Sequence, residues 1–513
     1  TLFNSLDDVA DIHFHLLTQK NEAIDIKNDI VNDFRNVISN LIINEKIGVA
    51  NQYGQPYFDL TKPMVFIDES DINITMPVID ASILPLMKTT HKRNKLLSSL
   101  ESCGKLNNKR HYQRTVDVEI APGDIQSIDV YSISKYFLRP DCRAKVNSIA
   151  YDSYLFPKSE FPEGFIPLVK VDGCEKIAGC VITDSTDEAE SIYISGKTRS
   201  GKTRFLVEQA IIRAKTGTKI IIIDQSGAFS LDELKKHLPD EAVETIFSHF
   251  EIAKDGIPIN LLSLENCSSL TEKKNRLYSI FSVAAKITGD VQGKVLRKRS
   301  SVIAKAIEAG KIHSLPETLR FFNPKDPEQA EIQYRLEEVF EDLDGLNTYN
   351  QNWGQFLNSQ KNIIVLSTAA DGIRKGSFLV DMLLASLYEY KQHDKKSKYM
   401  LILDEIEELC KEKDGPINTI LRKGAKYRLS MILASQEYSL DKDQLGKLIG
   451  NCGMHVFFRP KDGNLTDISK HIKVETSILA DLEQGQCVVY GPLYNKIQGK
   501  NKQTTIIGQT HKH

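Results

Sequence analysis

The sequence predicts an α/β fold with a mainly parallel sheet, and three observations support this prediction. From about residue 160 onward, short β-branched runs alternate with helical segments. These runs are continuously apolar, which is typical of strands that helices cover on both faces. A glycine-rich loop directly follows one of the runs and leads into a helix, as phosphate-binding loops in such folds do.

The predicted elements follow one another in the order that this fold requires. Strands are predicted at 191–195, 219–223, 362–367, 399–403 and 429–434, and helices from Lys202 and near 378–390. Residues 263 to about 351 interrupt the alternation with a charged, mostly helical insert.

The N-terminal region has a mixed character, and we assign it no known fold. Apolar residues recur at helical spacing over 25–43, whereas 116–130 alternate like strands around a Pro122-Gly123 turn. We therefore predict three parts: an accessory region at 1–155, an α/β domain at 156–497, and a polar C-terminal tail at 498–513.

Composition excludes several classes of protein. The 513 residues carry a net charge of −2, so a DNA contact would require local basic patches rather than a global basic field. The eight cysteines form no CxxC pair, which is typical of a reduced cytoplasmic protein without a zinc knuckle. We see neither a signal peptide nor an apolar run of about 18 residues that would predict a membrane span.

The loop at 196–203 reads Gly-Lys-Thr-Arg-Ser-Gly-Lys-Thr, between a predicted strand and a predicted helix. Glycines let the backbone N–H groups turn toward phosphates, and the helix N-terminus adds positive potential. In such a loop Lys202 reaches the β- and γ-phosphates and the Thr203 hydroxyl binds Mg²⁺. The alternative, a chance glycine turn, does not account for the flanking strand and helix. The candidate nucleotide-binding residues are Gly196, Lys197, Thr198, Arg199, Ser200, Gly201, Lys202, Thr203 and Arg204.

A second apolar strand, 399–403, leads directly into Asp404 and Glu405. This places both carboxylates at the carboxyl edge of the sheet, where open α/β sheets bind ligands. We expect Asp404 to hold the magnesium shell and Glu405 to polarise the attacking water. The alternative is a solvated helix start, which is how we interpret Glu407 and Glu408.

Two further strand ends carry polar side chains. Gln436 follows strand 429–434 and is expected to sense the γ-phosphate or orient water; the alternative is a simple strand-end cap. Asp224 ends strand 219–223 and either supports the magnesium shell or caps the next turn.

Together these blocks resemble the HerA–FtsK superfamily of hexameric translocating ATPases. The matching segments are 196–203, 224–229, 401–405, 422–436, 451–459 and 482–491, so the resemblance covers about 165–495. It implies a RecA-like core that binds ATP and Mg²⁺, a homo-oligomeric ring, usually a hexamer, and translocation or remodelling of DNA.

The resemblance also implies an arginine that acts in trans on the neighbouring subunit's γ-phosphate. Arg422 and Arg459 stand at matching positions. The family segment usually reads Arg-x-Gly-Arg-Lys-Tyr-Gly; here Ala425 replaces its second arginine and Arg428 its final glycine, so Arg428 is a further candidate.

Within the superfamily, 256–262 and the helices around 277–288 look like DptH-like ATPases of bacterial anti-phage systems, which implies a partner nuclease or other defence-complex subunits. Two other functions remain open. A type IV coupling or secretion-type ATPase shares this core but usually carries a membrane anchor. A nucleotide-gated assembly module would use ATP binding to control a partner nuclease.

Overall fold

The fold consists of two units, each with its own β-sheet. The computed structural model describes residues 6–51, 63–68, 71–106, 113–121, 124–171, 175–182, 190–265, 267–287, 289–343, 346, 348–368, 376–409, 415–439 and 444–510. The first unit comprises 1–160, 170–177 and 495–498, and the second comprises 161–169, 178–494 and 499–513.

The first unit contains a mixed five-stranded sheet in the order β1-β2-β3-β5-β4. Its elements are α1 (Leu6–Ile43), β1 (Gly48–Asn51), β2 (Met64–Ile67), β3 (Asp71–Ile74), α2 (Met76–Val78), α3 (Arg93–Ser102), β4 (Arg114–Ala121), β5 (Asp124–Ser134), α4 (Pro140–Ala150) and β6 (Leu155–Phe156). The helix predicted at 25–43 is confirmed, and Ile30, Phe34 and Ile38 on it are buried in the unit's core. The strand pair predicted at 116–130 is confirmed as β4 and β5, while its turn at 122–123 lies outside the described residues.

Residues 170–177 and 495–497, which we assigned to the α/β domain, belong to the first unit. Lys176 and Lys496 both pair with Asp152, with Nζ–O distances of 2.6 and 2.9 Å. The Asn495 side chain donates to Ser153 Oγ at 3.3 Å. The contacts of Asn495 and Lys496 join residues more than 300 positions apart, so local sequence patterns do not reveal them.

The second unit is built on a long sheet whose central strands are parallel. The order is β11-β12-β10-β13-β14-β9-β15-β16-β17-β7-β8. Its strands are β7 (Phe165–Val171), β8 (Ile177–Val181), β9 (Ile192–Ser195), β10 (Lys219–Asp224), β11 (Phe247–Glu251), β12 (Ile363–Ser367), β13 (Tyr399–Leu403), β14 (Leu429–Ser435), β15 (Met454–Phe458), β16 (Gln486–Asn495) and β17 (Lys500–Gln509). Every pair from β11 to β15 in this order is parallel, and β15 pairs antiparallel with β16. Every residue of β13 and β14 is buried, so the predicted α/β fold with a mainly parallel core is confirmed.

Helices accompany this sheet, and three longer ones form the predicted insert between β11 and β12. The helices are α5 (Lys202–Lys215), α6 (Leu231–Lys235), α7 (Asp240–Ile246), α8 (Ile252–Asp255), α9 (Leu270–Ala284), α10 (Asp290–Glu308), α11 (Pro327–Leu343), α12 (Trp353–Ser359), α13 (Gly376–His393), α14 (Pro416–Lys423), α15 (Gln444–Ile449), α16 (Leu465–Ile472) and α17 (Thr476–Ala480). Of these, α9, α10 and α11 confirm the helical insert. No described helix is long and apolar enough to cross a membrane.

The segment 498–513 is not the polar tail that the sequence suggests. Residues 500–509 form β17, which lies between β16 and β7 in the sheet. Ile506 and Ile507 are buried, whereas Gln503 and Gln509 are exposed. The strand looks polar in sequence because Lys, Asn, Gln and Thr residues make up its first half, but its two isoleucines belong to the core.

Candidate nucleotide-binding site

The candidate site lies where three parallel strands end. Ser195 at the end of β9 pairs with Ser435 of β14, and Leu433 of β14 pairs with Leu403 of β13. This register brings the loop after β9 to the same sheet edge as Asp404 and Gln436. The crevice outside the carboxyl ends of the strands is where open α/β sheets bind ligands.

The loop after β9 has room for glycine and nothing larger at two positions. A Cβ on Gly196 would lie 2.7 Å from Phe458 Cβ and 2.8 Å from Ser200 Oγ. Gly201 has a φ of 117°, and a Cβ there would lie 3.0 Å from Gly485 Cα. Both glycines are therefore required by close packing and by backbone conformation, and the loop can curve tightly.

Backbone hydrogen bonds fix this loop to neighbouring segments. Lys197 N donates to Arg459 O at 2.9 Å. Gly485 N donates to Ser200 O at 2.8 Å, and Thr510 N, just beyond β17, donates to Gly485 O at 2.9 Å. The residue after the last strand of the sheet thus supports the phosphate loop through Gly485, a contact that our sequence analysis did not foresee.

Lys202 points into the concave side of the loop. Its side chain is buried, with 8% exposure, and Nζ donates to Gly196 O at 2.6 Å and Lys197 O at 3.3 Å. Burial lowers the pKa of Lys202, while the nearby Asp404 carboxyl group acts in the opposite direction. A desolvated ammonium held by two neutral carbonyls is a strong binding group for phosphate oxygens.

The hydrogen-bond donors of this loop fit a nucleoside triphosphate. Beside the ammonium, Ser200 Oγ is buried and has no hydrogen-bond partner among the residues that the structure describes. A cavity of about 500 Å³ opens in front of these groups, lined by residues 199–204, His237, Gln484 and Gly485. Backbone N–H groups, an unpartnered hydroxyl and an ammonium around such a space are the groups that hold phosphates.

Asp404 and Glu405 lie beside the loop, and Asp404 is 4% exposed. Burial raises the pKa of Asp404 to about 6, although the Lys202 ammonium acts against this rise. Its Oδ1 accepts a hydrogen bond from Glu405 N at 3.0 Å. Magnesium is commonly bound by one or two carboxylates together with phosphates, so Asp404 and the half-buried Thr203 hydroxyl suit this ion.

Gln436 connects the catalytic candidates to the phosphate loop. Its Nε2 donates to Glu405 Oε1 at 3.4 Å, and its Oε1 accepts from Thr198 Oγ1 at 3.1 Å. The structure therefore brings together the three segments that the sequence analysis selected separately. The contacts of the Gln436 side chain with Thr198 and Glu405 are those expected of a residue that would sense the γ-phosphate or orient water.

Asp224 shows the geometry of a turn cap. It is fully buried, and its carboxylate accepts backbone N–H groups from Ser226, Gly227, Ala228 and Phe229 at 2.9–3.2 Å. Burial raises its pKa, and these hydrogen bonds oppose the rise. Because both oxygens are already engaged, the capping alternative describes Asp224 better than a place in the magnesium shell.

The three candidate arginines are all exposed, and no described contact joins their side chains to Lys202, Asp404 or Glu405. Arg422 lies in the last turn of α14. Arg428 has a φ of 58°, and its Nη1 donates to Lys396 O at 2.8 Å. The described contact of Arg459 with the phosphate loop is made by its carbonyl group. Exposure leaves Arg422 and Arg459 free to reach another molecule.

Our interpretation of Glu407 as a solvated helix start is wrong. It lies on a 3₁₀ turn, Ile406–Glu408, and its Oε1 accepts hydrogen bonds from Ser435 Oγ at 2.7 Å and from the backbone N of Gln436 and Glu437. The last residue of β14 and the two residues after it supply these donors, 28 to 30 positions further along the chain, so no local signal marks Glu407.

No protein-family model matches the chain, and no curated protein matches it. Similar solved structures include VirB4 of Thermoanaerobacter pseudethanolicus, at 15% identity and a TM-score of 0.48 over 68% of this chain and 98% of that one. The bacterial conjugative coupling protein TrwB is 13% identical, with a TM-score of 0.44 over 68% of this chain and 90% of that one. The genome packaging NTPase B204 from Sulfolobus turreted icosahedral virus 2 is 13% identical, with a TM-score of 0.30 over 62% and 98%. Each of these similarities concerns the fold alone.

Proposed function

We propose that the chain is an ATPase of the HerA–FtsK superfamily, which hydrolyses ATP with Mg²⁺ and moves or remodels DNA as a ring of identical subunits. The observation that supports hydrolysis is the contact chain from the phosphate loop through Gln436 to Glu405. The motif order described above supports the superfamily. On the same resemblance, the partner that we propose is a nuclease of an anti-phage complex.

Each residue of the candidate site has a separate role in the proposed hydrolysis. Lys202 and the loop N–H groups bind the phosphates and neutralise charge that develops during transfer. Glu405 orients and polarises the water, and Gln436 holds the Glu405 carboxylate in line with the loop. Thr203 and Asp404 would hold magnesium, which supplies charge neutralisation on the β- and γ-phosphates when bound.

Substitution of Glu405 by glutamine should separate ATP binding from ATP hydrolysis. The change keeps the shape of the side chain but removes the carboxylate that polarises water. We expect ATP affinity within about twofold of wild type and turnover lower by about 10²-fold. Isothermal titration and a phosphate-release assay measure the two quantities, with the exposed Glu241→Gln on α7 as the matched control. If affinity collapses while turnover per bound ATP stays normal, Glu405 is not the water-orienting residue.

A basic stripe on α10 is our candidate for contact with DNA phosphates. Lys294, Lys298 and Lys305 are exposed, and no ion pair among the described residues holds them. At 100° and 1.5 Å per residue they fall within a sector of about 40°, separated by about 6 and about 10 Å along the axis. A row of unpaired ammonium groups on one helix face is suited to a phosphate backbone.

The salt dependence of DNA binding tests this stripe. Each lost phosphate contact should reduce the slope of log K against log[salt] by about 0.9 on duplex DNA. We therefore expect the slope for Lys294→Gln/Lys298→Gln/Lys305→Gln to fall by about 2 to 3. The control Lys235→Gln/Lys236→Gln/Lys254→Gln removes equal charge outside the insert. Equal slopes in both triple variants would show that α10 does not contact DNA.

Displacement of a triplex-forming strand from duplex DNA tests movement itself. An ATP-dependent motor should remove the third strand, and Lys202→Ala should not. Hydrolysis without displacement would favour the nucleotide-gated assembly module over a translocase.

A further inference from the structure

We propose that Glu407 is a positioning residue that fixes Gln436 against Glu405 and thereby sets the geometry of water activation. The proposal rests on the proposed ATPase function. No described hydrogen bond or ion pair joins Glu407 to the phosphate loop, although its charge acts on Lys202. The contacts of Glu407 therefore point to an action through Gln436 rather than on substrate.

The first observation is the set of donors that Glu407 receives. One carboxylate oxygen, Oε1, accepts from Ser435 Oγ at 2.7 Å, from Gln436 N, and from Glu437 N at 3.3 Å. Three donors from consecutive residues converge on a single oxygen. Hydrogen bonds to an ionised acceptor are about twice as strong as neutral ones, so this segment is held firmly.

The second observation is that the same segment is held from its other side. Gln436 O accepts from Asn464 Nδ2 at 3.3 Å, and Asn464 is 9% exposed. Glu437 O accepts from the hydroxyl of Tyr193, which belongs to the strand that leads into the phosphate loop. The backbone N–H and C=O groups of Gln436 are thus both engaged, which restrains the position from which its side chain reaches Glu405 and Thr198.

The third observation is the position of Glu407 in the chain. It stands two residues after Glu405, on the 3₁₀ turn that follows β13. Consequently, a single short turn both presents the proposed water-orienting carboxylate and holds the backbone of the residue that contacts it. Displacement of a catalytic group by about 1 Å can lower the rate by about 10²-fold, so this coupling would matter for turnover.

A fourth observation is the other carboxylate oxygen. Glu407 Oε2 is buried and has no partner among the described residues. A residue needed only to satisfy Ser435 could be an amide or a hydroxyl, which would avoid burying an ionised oxygen. The carboxylate at this position is explained by the need for a strong acceptor of several backbone donors.

A double-mutant cycle on turnover tests the proposal. We expect Glu407→Ala to lower kcat by about 10- to 100-fold, with little change in the KM for ATP. In a Gln436→Ala background, adding Glu407→Ala should change kcat less than twofold, because the residue through which it acts is already gone. Glu407→Gln keeps one acceptor oxygen and should recover part of the lost rate. Glu241→Ala, an exposed carboxylate on α7, serves as the control.

Two results would contradict the proposal. Independent effects, where the double variant loses the product of both single losses, would show that Glu407 does not act through Gln436. Wild-type kcat in Glu407→Ala would also overturn the proposal. Should the alanine variant fail to fold, the same cycle with Glu407→Gln decides. Absence of hydrolysis by the wild-type ring contradicts the proposed ATPase function instead, so the two failures are distinguishable.

Discussion

In the ring that we propose, removal of the arginine from the neighbouring subunit should lower ATP turnover by about 10³- to 10⁵-fold. We expect this loss from Arg422→Ala or Arg459→Ala ahead of Arg428→Ala. The Arg428 guanidinium is already engaged with the Lys396 carbonyl of its own chain, whereas no described hydrogen bond or ion pair engages the side chain of Arg422 or Arg459. The steady-state turnover of each single variant measures the effect. The protein concentration must be high enough for rings to form.

Mixed rings show whether the arginine acts in trans. A subunit with Lys202→Ala keeps its arginine, and a subunit with the arginine variant keeps its phosphate loop. Some interfaces in a mixture then regain both partners, so activity should exceed that of either variant alone. Turnover per wild-type subunit should also rise steeply with protein concentration. Concentration-independent turnover, with no recovery in any of the three mixtures, would mean that one chain holds a complete site.

Lys202→Ala should lower ATP turnover by about 10³-fold or more, the second of the two largest effects that we expect. The described hydrogen bonds of the ammonium go to two loop carbonyls, and the cavity beside Lys202 gives water access once the side chain is gone. The melting temperature should therefore stay close to that of wild type. Lys215→Ala, an exposed lysine on the same helix, controls for loss of charge. Normal turnover in Lys202→Ala would contradict the assignment of the site.

The sequence predicted the parts of the fold that depend on neighbouring residues. The run at 399–403 is continuously apolar because β13 is buried on both faces, and the glycines at 196 and 201 mark a backbone that leaves no room for a side chain. Strand, loop and helix adjoin in the chain, so their combination was visible before the structure. Asp404 and Gln436 were found for the same reason, since each directly follows a buried strand.

The parts that were missed depend on contacts between distant residues. Glu407 resembles any acidic residue in a first turn, and only the register of β13 with β14 brings it to Ser435. Similarly, β17 appears hydrophilic in sequence, and only its place between β16 and β7 in the sheet shows that Ile506 and Ile507 are buried. The return of 495–498 to the first unit depends on pairing with residues near 152. Periodicity and local composition contain no information about such partners.

Glu405 also has an unusual backbone, because its φ of 53° places it in the left-handed region. For a residue with a Cβ this conformation costs about 1–2 kcal/mol relative to the right-handed one, and glycine would adopt it freely. Selection for thermal stability alone would therefore favour glycine at the position where the proposed hydrolysis requires a carboxylate. The candidate site thus contains a trade-off between stability and activity, and stabilised variants of this protein should be sought elsewhere in the sheet and its helices.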